Sequence, residues 1–223
     1  MCYHTSTPST ETLKTVIKDA NVHYQFDTIY HVSGFSRPIL PVTLNNDIDS
    51  IVPARWKFLP YWVKSEQEAD KYANTLNAVG EEIFEKATYK RSIGQHRGLL
   101  YVTGFFEPHS TNGKKNDETY YVSDPESPIF TLGIVWNHWQ DYDTFAILTT
   151  EANEFMADIH NIGNRMPLII PQDKRHNWLL ADGREEIEQL IVPYDGELKA
   201  HKTFRVTSAR GIETNIPTIA DPI

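Results

Sequence analysis

The run "GLLYVTGFFE" occupies residues 98–107, and its reading decides the fold. It is rich in β-formers and bounded by turn signals, so it reads as strand. Three more strand candidates follow: "TYYVSD" (119–124), "PIFTLGIVW" (128–136) and "TFAILTT" (144–150). The segments between them are too short for helical crossovers, so neighbouring strands must run antiparallel. The first connection, "PHSTNGKKND" (108–117), contains Asn-Gly and reads as a hairpin turn.

Working outward, "TIYHVSG" (28–34), "PILPVTL" (38–44) and "IVPARWKF" (51–58) are shorter β-rich runs separated by Pro, Gly and Asn-Asn turns. "KTFRVTS" (202–208) is a last strand. Helices punctuate the flanks. Residues 9–20 are amphipathic, with Ser9 or Thr10 as cap and Leu13, Val16 and Ile17 on one face. Residues 81–91 read as a helix with Ile83, Phe84 and Ala87 inward. Residues 151–160 form a short helix after a strand. Residues 173–182, capped by Asp173, and 184–192 are two more. There is no repeat, no low-complexity tract and no linker. The expectation is an α+β fold with a mostly antiparallel, barrel-like β core and flanking helices, in a single domain over residues 2–223.

The chain has 223 residues, a net charge of −9 and a single cysteine, Cys2. One cysteine builds neither an internal disulfide framework nor a thiolate zinc site, and it fits a reducing compartment. No apolar run approaches a membrane span and no signal peptide is apparent, so a cytoplasmic location is expected, nucleoid-associated if the source is bacterial. Nucleotide and metal motifs are missing: no Walker loop, no G-x-G-x-x-G, no H-E-x-x-H, and no G-x-S-x-G. No cofactor and no metal are expected. The negative charge argues mildly against broad nucleic-acid binding. It is unevenly spread, however. Residues 86–97 carry Lys86, Lys90, Arg91 and Arg97 without an acid, and residues 54–64 interleave Arg55, Lys57 and Lys64 with Trp56, Phe58, Tyr61 and Trp62. On charge alone this is as readily a solvated helix face plus a core strand as a basic aromatic groove.

The chain opens "MCYH". Position alone is compatible with chance. It is equally compatible with removal of Met1, which would leave Cys2 with a free α-amine and a thiol on adjacent carbons. Such a 1,2-aminothiol condenses with an aldehyde and closes to a five-membered thiazolidine.

Four segments carry a resemblance. After Met-Cys come "WKFLPYW" (56–62), "NAVGE" (77–81), "GFFEP" (104–108) and "HNIGNRMP" (160–167). Their order and spacing resemble the SOS response-associated peptidase (SRAP) family, whose segments read W-G-x-x-P-x-W, N-A-R-x-E, G-F/W-[FY]-E-W and H-x-R-x-P. The resemblance runs from Cys2 to about Ile170, with a looser echo in "FRVTSA" (204–209). It implies covalent capture of abasic sites in single-stranded DNA as a thiazolidine crosslink, self-removal of Met1, lyase-like Schiff-base chemistry, and a place in the DNA damage and SOS responses. It also implies a catalytic set of Cys2, Asn77, Glu107 and His160. The DNA-contact candidates are Trp56, Trp62, Lys90, Arg91, Thr149 and Arg165. The partner is abasic single-stranded DNA; no membrane is implied, and protein partners stay open.

Departures mark a divergent member. Val79 stands in place of an arginine, Lys57 in place of a glycine and Pro108 in place of a tryptophan, and three extra residues separate His160 from Arg-Met-Pro.

The residues' own chemistry supports the assignments and leaves alternatives. Glu107, beside Phe105 and Phe106, suits a general acid with a raised pKa, or is a surface glutamate in a hairpin. A free α-amine titrates at about 7.7–8.0, so part of it is nucleophilic at neutrality. Asn77 can hold the amine or sugar hydroxyls without adding charge, or serve a turn. His160 can shuttle protons, or be structural. Arg165 can fork a phosphate, or pair with an acid. Trp62 follows Pro60 and suits the surface, whereas Trp56 is as readily core by strand alternation. Two other functions stay open: an N-terminal cysteine peptidase or amidohydrolase, and a DNA-binding module that has lost activity.

Overall fold

A computed structural model describes residues 2–112, 117–206 and 211–223. Its strands are β1 (His4–Thr7), β2 (Asn21–Val22), β3 (Ile29–Ser33), β4 (Ile39–Leu44), β5 (Asp47–Trp56), β6 (Asn77–Val79), β7 (Arg97–Val102), β8 (Gly104–His109), β9 (Glu118–Ser123), β10 (Phe130–Trp139), β11 (Tyr142–Glu151), β12 (Arg165–Pro167), β13 (Ile169–Ile170) and β14 (Lys199–Thr203). Its helices are α1 (Thr10–Val16), α2 (Glu66–Ala69), α3 (Lys90–Ile93), α4 (Glu154–Ile159), α5 (Arg175–Leu180) and α6 (Arg184–Leu190).

The run at 98–107 is strand throughout, but it is two strands in two sheets. The break is Thr103, whose N–H donates to the Ser6 carbonyl at 3.0 Å and whose hydroxyl donates to Ser6 Oγ at 2.7 Å. Glycine is required next, because a Cβ on Gly104 would stand 2.2 Å from the Tyr121 ring. Before the break, β7 lies between β10 and β4; after it, β8 lies between β9 and β1. This crossing joins a five-stranded antiparallel sheet, ordered β14-β9-β8-β1-β3, to a larger one.

In the larger sheet β5, β4, β7, β10 and β11 are antiparallel neighbours in turn. A parallel pairing of β11 with β5, Thr144 to Arg55 and Phe145 to Trp56, closes them into a ring. Parallel pairs otherwise occur only at the short β2 and β6 among the described strands. The core is therefore antiparallel and barrel-like, as the connections required. Trp56 and Phe145 stack inside at 6.4 Å, among Leu40, Val42, Leu100, Leu132 and Ile147. The alternate residues Leu99, Val135 and Leu148 pack outward against Phe58 and Trp178 of α5. Both strand faces are covered, which is why the apolar runs are nearly continuous.

Several local expectations are corrected. Residues 81–91 are not one helix: a 3-10 turn at Gly80–Glu82 is followed by turns and then the four-residue α3, and Ala87 is exposed. Glu81 is held instead by Arg165 and the Glu151 N–H, and Tyr89 by Asn77, so tertiary contacts override helix propensity. Asp173 sits within a 3-10 turn before α5 and does not cap it. The last strand ends at Thr203; residues 207–209 of the expected strand and echo, and 113–116 of the expected turn, lie outside the described residues. Arg97 and Lys57 leave the basic surface. Arg97 is buried, donating to the carbonyls of Ile93, Trp178, Leu179 and Ala181 around the end of α5. Lys57 is buried too, and burial, with Arg37 beside it, depresses its ammonium pKa.

Candidate active site

Strand alternation sorts the residues around the chain's start. β1 pairs with β8 in the register His4–Phe106 and Thr5–Phe105. Phe105 faces the main core together with Cys2, while Phe106 packs on the other side with Val206 and Ile219. Glu107 follows on the same face as Phe105. Cys2 and Glu107 are both wholly buried.

His160 caps the C-terminal end of α4, a helix started by the Asn153 side chain bonding the Met156 N–H at 2.8 Å. Its Nδ1 lies 3.9 Å from Glu107 Oε2 and 2.9 Å from the Arg165 carbonyl. A carbonyl only accepts, so Nδ1 carries a proton and Nε2 is the basic nitrogen of the neutral ring. Asn77 begins β6, laid parallel to β11 opposite Ile147. The Tyr89 hydroxyl donates to its backbone carbonyl at 3.1 Å. Among the described residues neither Asn77 side-chain atom has a partner at standard hydrogen-bond geometry, although the Tyr3 phenol lies close by; burial, then Glu107, raises the phenol's pKa, and Asn77 opposes them. Tyr3 and Tyr89 are site neighbours that sequence reasoning missed. Adjacency to Cys2 was a signal for Tyr3; nothing local marked Tyr89.

Burial sets the charge states. It pushes the Cys2 thiol well above the usual thiol range, and Glu107 pushes it further. Burial also raises the Glu107 carboxyl, against the opposing influence of His160. Both groups thus favour their protonated, neutral forms. A protonated carboxyl and a neutral thiol, with an imidazole beside the carboxyl, can hand protons to and from a bound molecule.

The DNA-contact candidates divide. Trp56 is fully buried inside the barrel, with Nε1 donating to the Leu76 carbonyl at 2.8 Å, so it offers no face to a base. Trp62 is half-buried, edge-on to Tyr61 and bonded to the Tyr72 hydroxyl at 2.7 Å. Lys90 and Arg91 are exposed on α3, and the Arg91 guanidinium lies 4.0 Å over the Tyr61 ring. Arg165 is forked by Glu81 at 3.0 and 2.7 Å and donates to the Thr149 carbonyl at 2.6 Å. Thr149 is itself fully buried and acts as the anchor of Arg165.

The family model for SOS response associated peptidase (SRAP) matches residues 1–209. The abasic site processing protein YoaM of Bacillus subtilis is 27% identical over 180 residues, spanning 78% of this chain and 76% of that protein. The abasic site processing protein HMCES of Rattus norvegicus is 26% identical over 199 residues, spanning 72% of this chain and 56% of that protein. A crystal structure of a protein from Bacteroides thetaiotaomicron superposes with a TM-score of 0.88 at 28% identity over 100% of both chains. A second, from Bordetella bronchiseptica, shares the fold at a TM-score of 0.78 and 16% identity, over 91% of this chain and 100% of the other. The chain belongs to the SRAP family.

Proposed function

We propose that this protein processes abasic sites in single-stranded DNA by capturing them covalently on Cys2. The observation that carries the reading is the burial of Cys2 and Glu107 on one face, with His160 Nδ1 3.9 Å from the carboxylate oxygen. The names of its relatives support the substrate.

The chemistry follows from the groups present. Loss of Met1 frees the Cys2 α-amine. Glu107, held protonated, donates to the ring oxygen as the closed sugar opens to its aldehyde. The amine lone pair attacks the aldehyde carbon, and the resulting carbinolamine loses water to give an imine. His160 takes and returns protons through Nε2. The Cys2 sulfur then adds to the imine carbon while the thiol proton passes to nitrogen, closing the thiazolidine. The balance is one aminothiol plus one aldehyde giving one ring and one water. An imine that fails to close is the lyase-like branch, since it acidifies the neighbouring sugar carbon. Asn77, with its side-chain amide uncommitted to standard hydrogen bonds, suits the opened sugar's hydroxyls.

Incubation with a single strand bearing one abasic site, followed by intact-mass measurement, tests this. The expected species weighs the protein without Met1, plus the oligonucleotide, minus one water. Recovery of the two components alone, with Met1 already absent, would sink the reading.

A further inference from the structure

The three residues inserted between His160 and the Arg-Met-Pro run belong to a closed loop. It turns straight back: Gly163 N–H and Asn164 N–H both donate to the His160 carbonyl, at 3.3 and 3.1 Å. Asn164 takes a left-handed φ of 47°, and its carbonyl accepts from the Ala152 N–H at 3.0 Å. Asn161 ties the loop to the chain beyond β8 through a paired contact. Its Oδ1 accepts from the Ser110 N–H at 3.0 Å, and its Nδ2 donates to the Ser110 carbonyl at 2.9 Å.

Gly163 presses on the imidazole. A methyl there would stand 2.8 Å from His160 Cε1 and 3.1 Å from Nε2. The positive-φ glycines of the described chain are Gly183 and Gly211, so Gly163 has no special backbone demand. Space against the ring is what calls for glycine. The His160 ring is thus held from two sides, by the Arg165 carbonyl on Nδ1 and by the Gly163 backbone against the Cε1–Nε2 edge.

We propose that Gly163 is a positioning residue for His160: the loop it belongs to, pinned by Asn161, fixes the imidazole beside Glu107 with Nδ1 on the Arg165 carbonyl. This rests on the abasic-capture reading for its consequence, but not for its geometry. Gly163→Ala should leave the backbone intact while displacing the ring by a few tenths of an ångström or more. Misplacements of that order at a reacting group cost on the order of ten- to a hundredfold in rate.

The test uses the full chain and two readouts. The first is the rate of heat-stable adduct formation with an abasic single strand, beside affinity for an intact one. The second is the nitrogen spectrum of the His160 imidazole without DNA. The wild type should show one tautomer, protonated on Nδ1. Gly163→Ala should slow capture at saturating DNA by about ten- to a hundredfold, blur the tautomer signature, and leave intact-strand affinity and melting temperature near wild type. Asn161→Ala, which removes only an exposed tether, should do the same more weakly, and it serves if Gly163→Ala does not fold. Unchanged nitrogen spectra in the folded variants overturn the proposal. So do wild-type capture rates in them. If the wild type itself forms no adduct, the capture reading fails and the nitrogen spectra alone decide the loop's role.

Discussion

The two faces of the β1–β8 pair both take titratable groups out of water and use them differently. On the core side are Cys2 and Glu107, with His160 beside them, and burial raises the thiol and the carboxyl. On the far side, His4 Nδ1 and His31 Nε2 lie 3.0 Å apart, and His31 Nδ1 lies 2.7 Å from Thr214 Oγ1. Burial lowers both imidazoles to about 4. The far side is a completed polar chain that anchors the C-terminal segment over Phe106, where Asn215 also accepts from the Tyr30 N–H. The core side gathers a thiol, a carboxyl and the Asn77 amide, which has no partner at standard geometry among the described residues. Low dielectric raises the cost of a buried polar group without a partner, so the Asn77 amide marks the core side as the face with hydrogen-bonding capacity to spare, while the completed chain on the far side rigidifies the fold.

The largest effect should come from Cys2. Cys2→Ser keeps the amine and loses the thiol. It should give an imine trapped by borohydride, yet no adduct that survives heating without reduction. A variant that retains Met1 keeps the thiol but locks the amine in a peptide bond. It should bind DNA and form no thiazolidine at all. A heat-stable adduct from the Met1-retained protein would end the aminothiol reading and erase the contrast between the faces.

Next is Glu107→Gln, which keeps shape and burial. Capture should slow by about 10²–10⁴-fold if the carboxyl is the general acid. Stability should move the other way. The folded carboxyl pKa is raised above its unfolded value, so its contribution is complete at low pH and fades as pH rises through the folded pKa. At neutral and alkaline pH the glutamine variant should therefore melt higher than the wild type, and near pH 3 the gap should close. A variant slow at capture but not stabilised at high pH would leave Glu107 a structural carboxyl.

The far side predicts the opposite pH trend. His4 and His31 are depressed from 6.5 to about 4, so the unfolded chain binds more protons in between. Their contribution is full above about 6.5 and is lost as pH falls toward 4. His31→Gln should flatten denaturation midpoints over that window while leaving capture chemistry untouched. Equal acid sensitivity in this variant would move the acid-labile element elsewhere.

These contrasts were partly legible in the residues. Alternation through "GFFE" sends Phe105 and Glu107 one way and Phe106 the other, so their shared face follows from period two; that Glu107 is buried there rather than a surface glutamate does not, because both faces are covered. The start of the early helix was legible too, since Ser9 caps α1 through the Thr12 N–H at 3.2 Å, but the helix ends at Val16, which is exposed rather than inward. The break at Thr103 was not legible, because β propensity runs unbroken and its cause, Ser6, is remote in sequence. The expected helix at 81–91 failed for the same reason, since Glu81 answers to Arg165. Trp56 and Trp62 were separable by their positions, one inside a strand and one after Pro60. Buried cations were the blind spot: composition put Lys57 and Arg97 on the surface, and only tertiary carbonyls explain Arg97.

That blind spot gives the smallest and most discriminating prediction. If the exposed Lys90 and Arg91 contact phosphates, each should contribute about 0.7 to the negative slope of log affinity against log salt on a single strand. Lys90→Ala and Arg91→Ala should each flatten the line by about that much. Arg91→Ala should also lose a little salt-independent affinity, because its guanidinium covers the Tyr61 ring at 4.0 Å. Lys57 belongs to the other basic stretch of sequence, residues 54–64, but is buried, so Lys57→Met should leave the slope unchanged. Charge at low dielectric has no counterion to release and therefore no salt dependence to lose. A slope that responds to Lys57 as it does to Lys90 would place the DNA path through the Trp56 strand rather than over α3. It would break the rule, drawn from the two faces of β1 and β8, that groups closed on the protein do not meet the substrate.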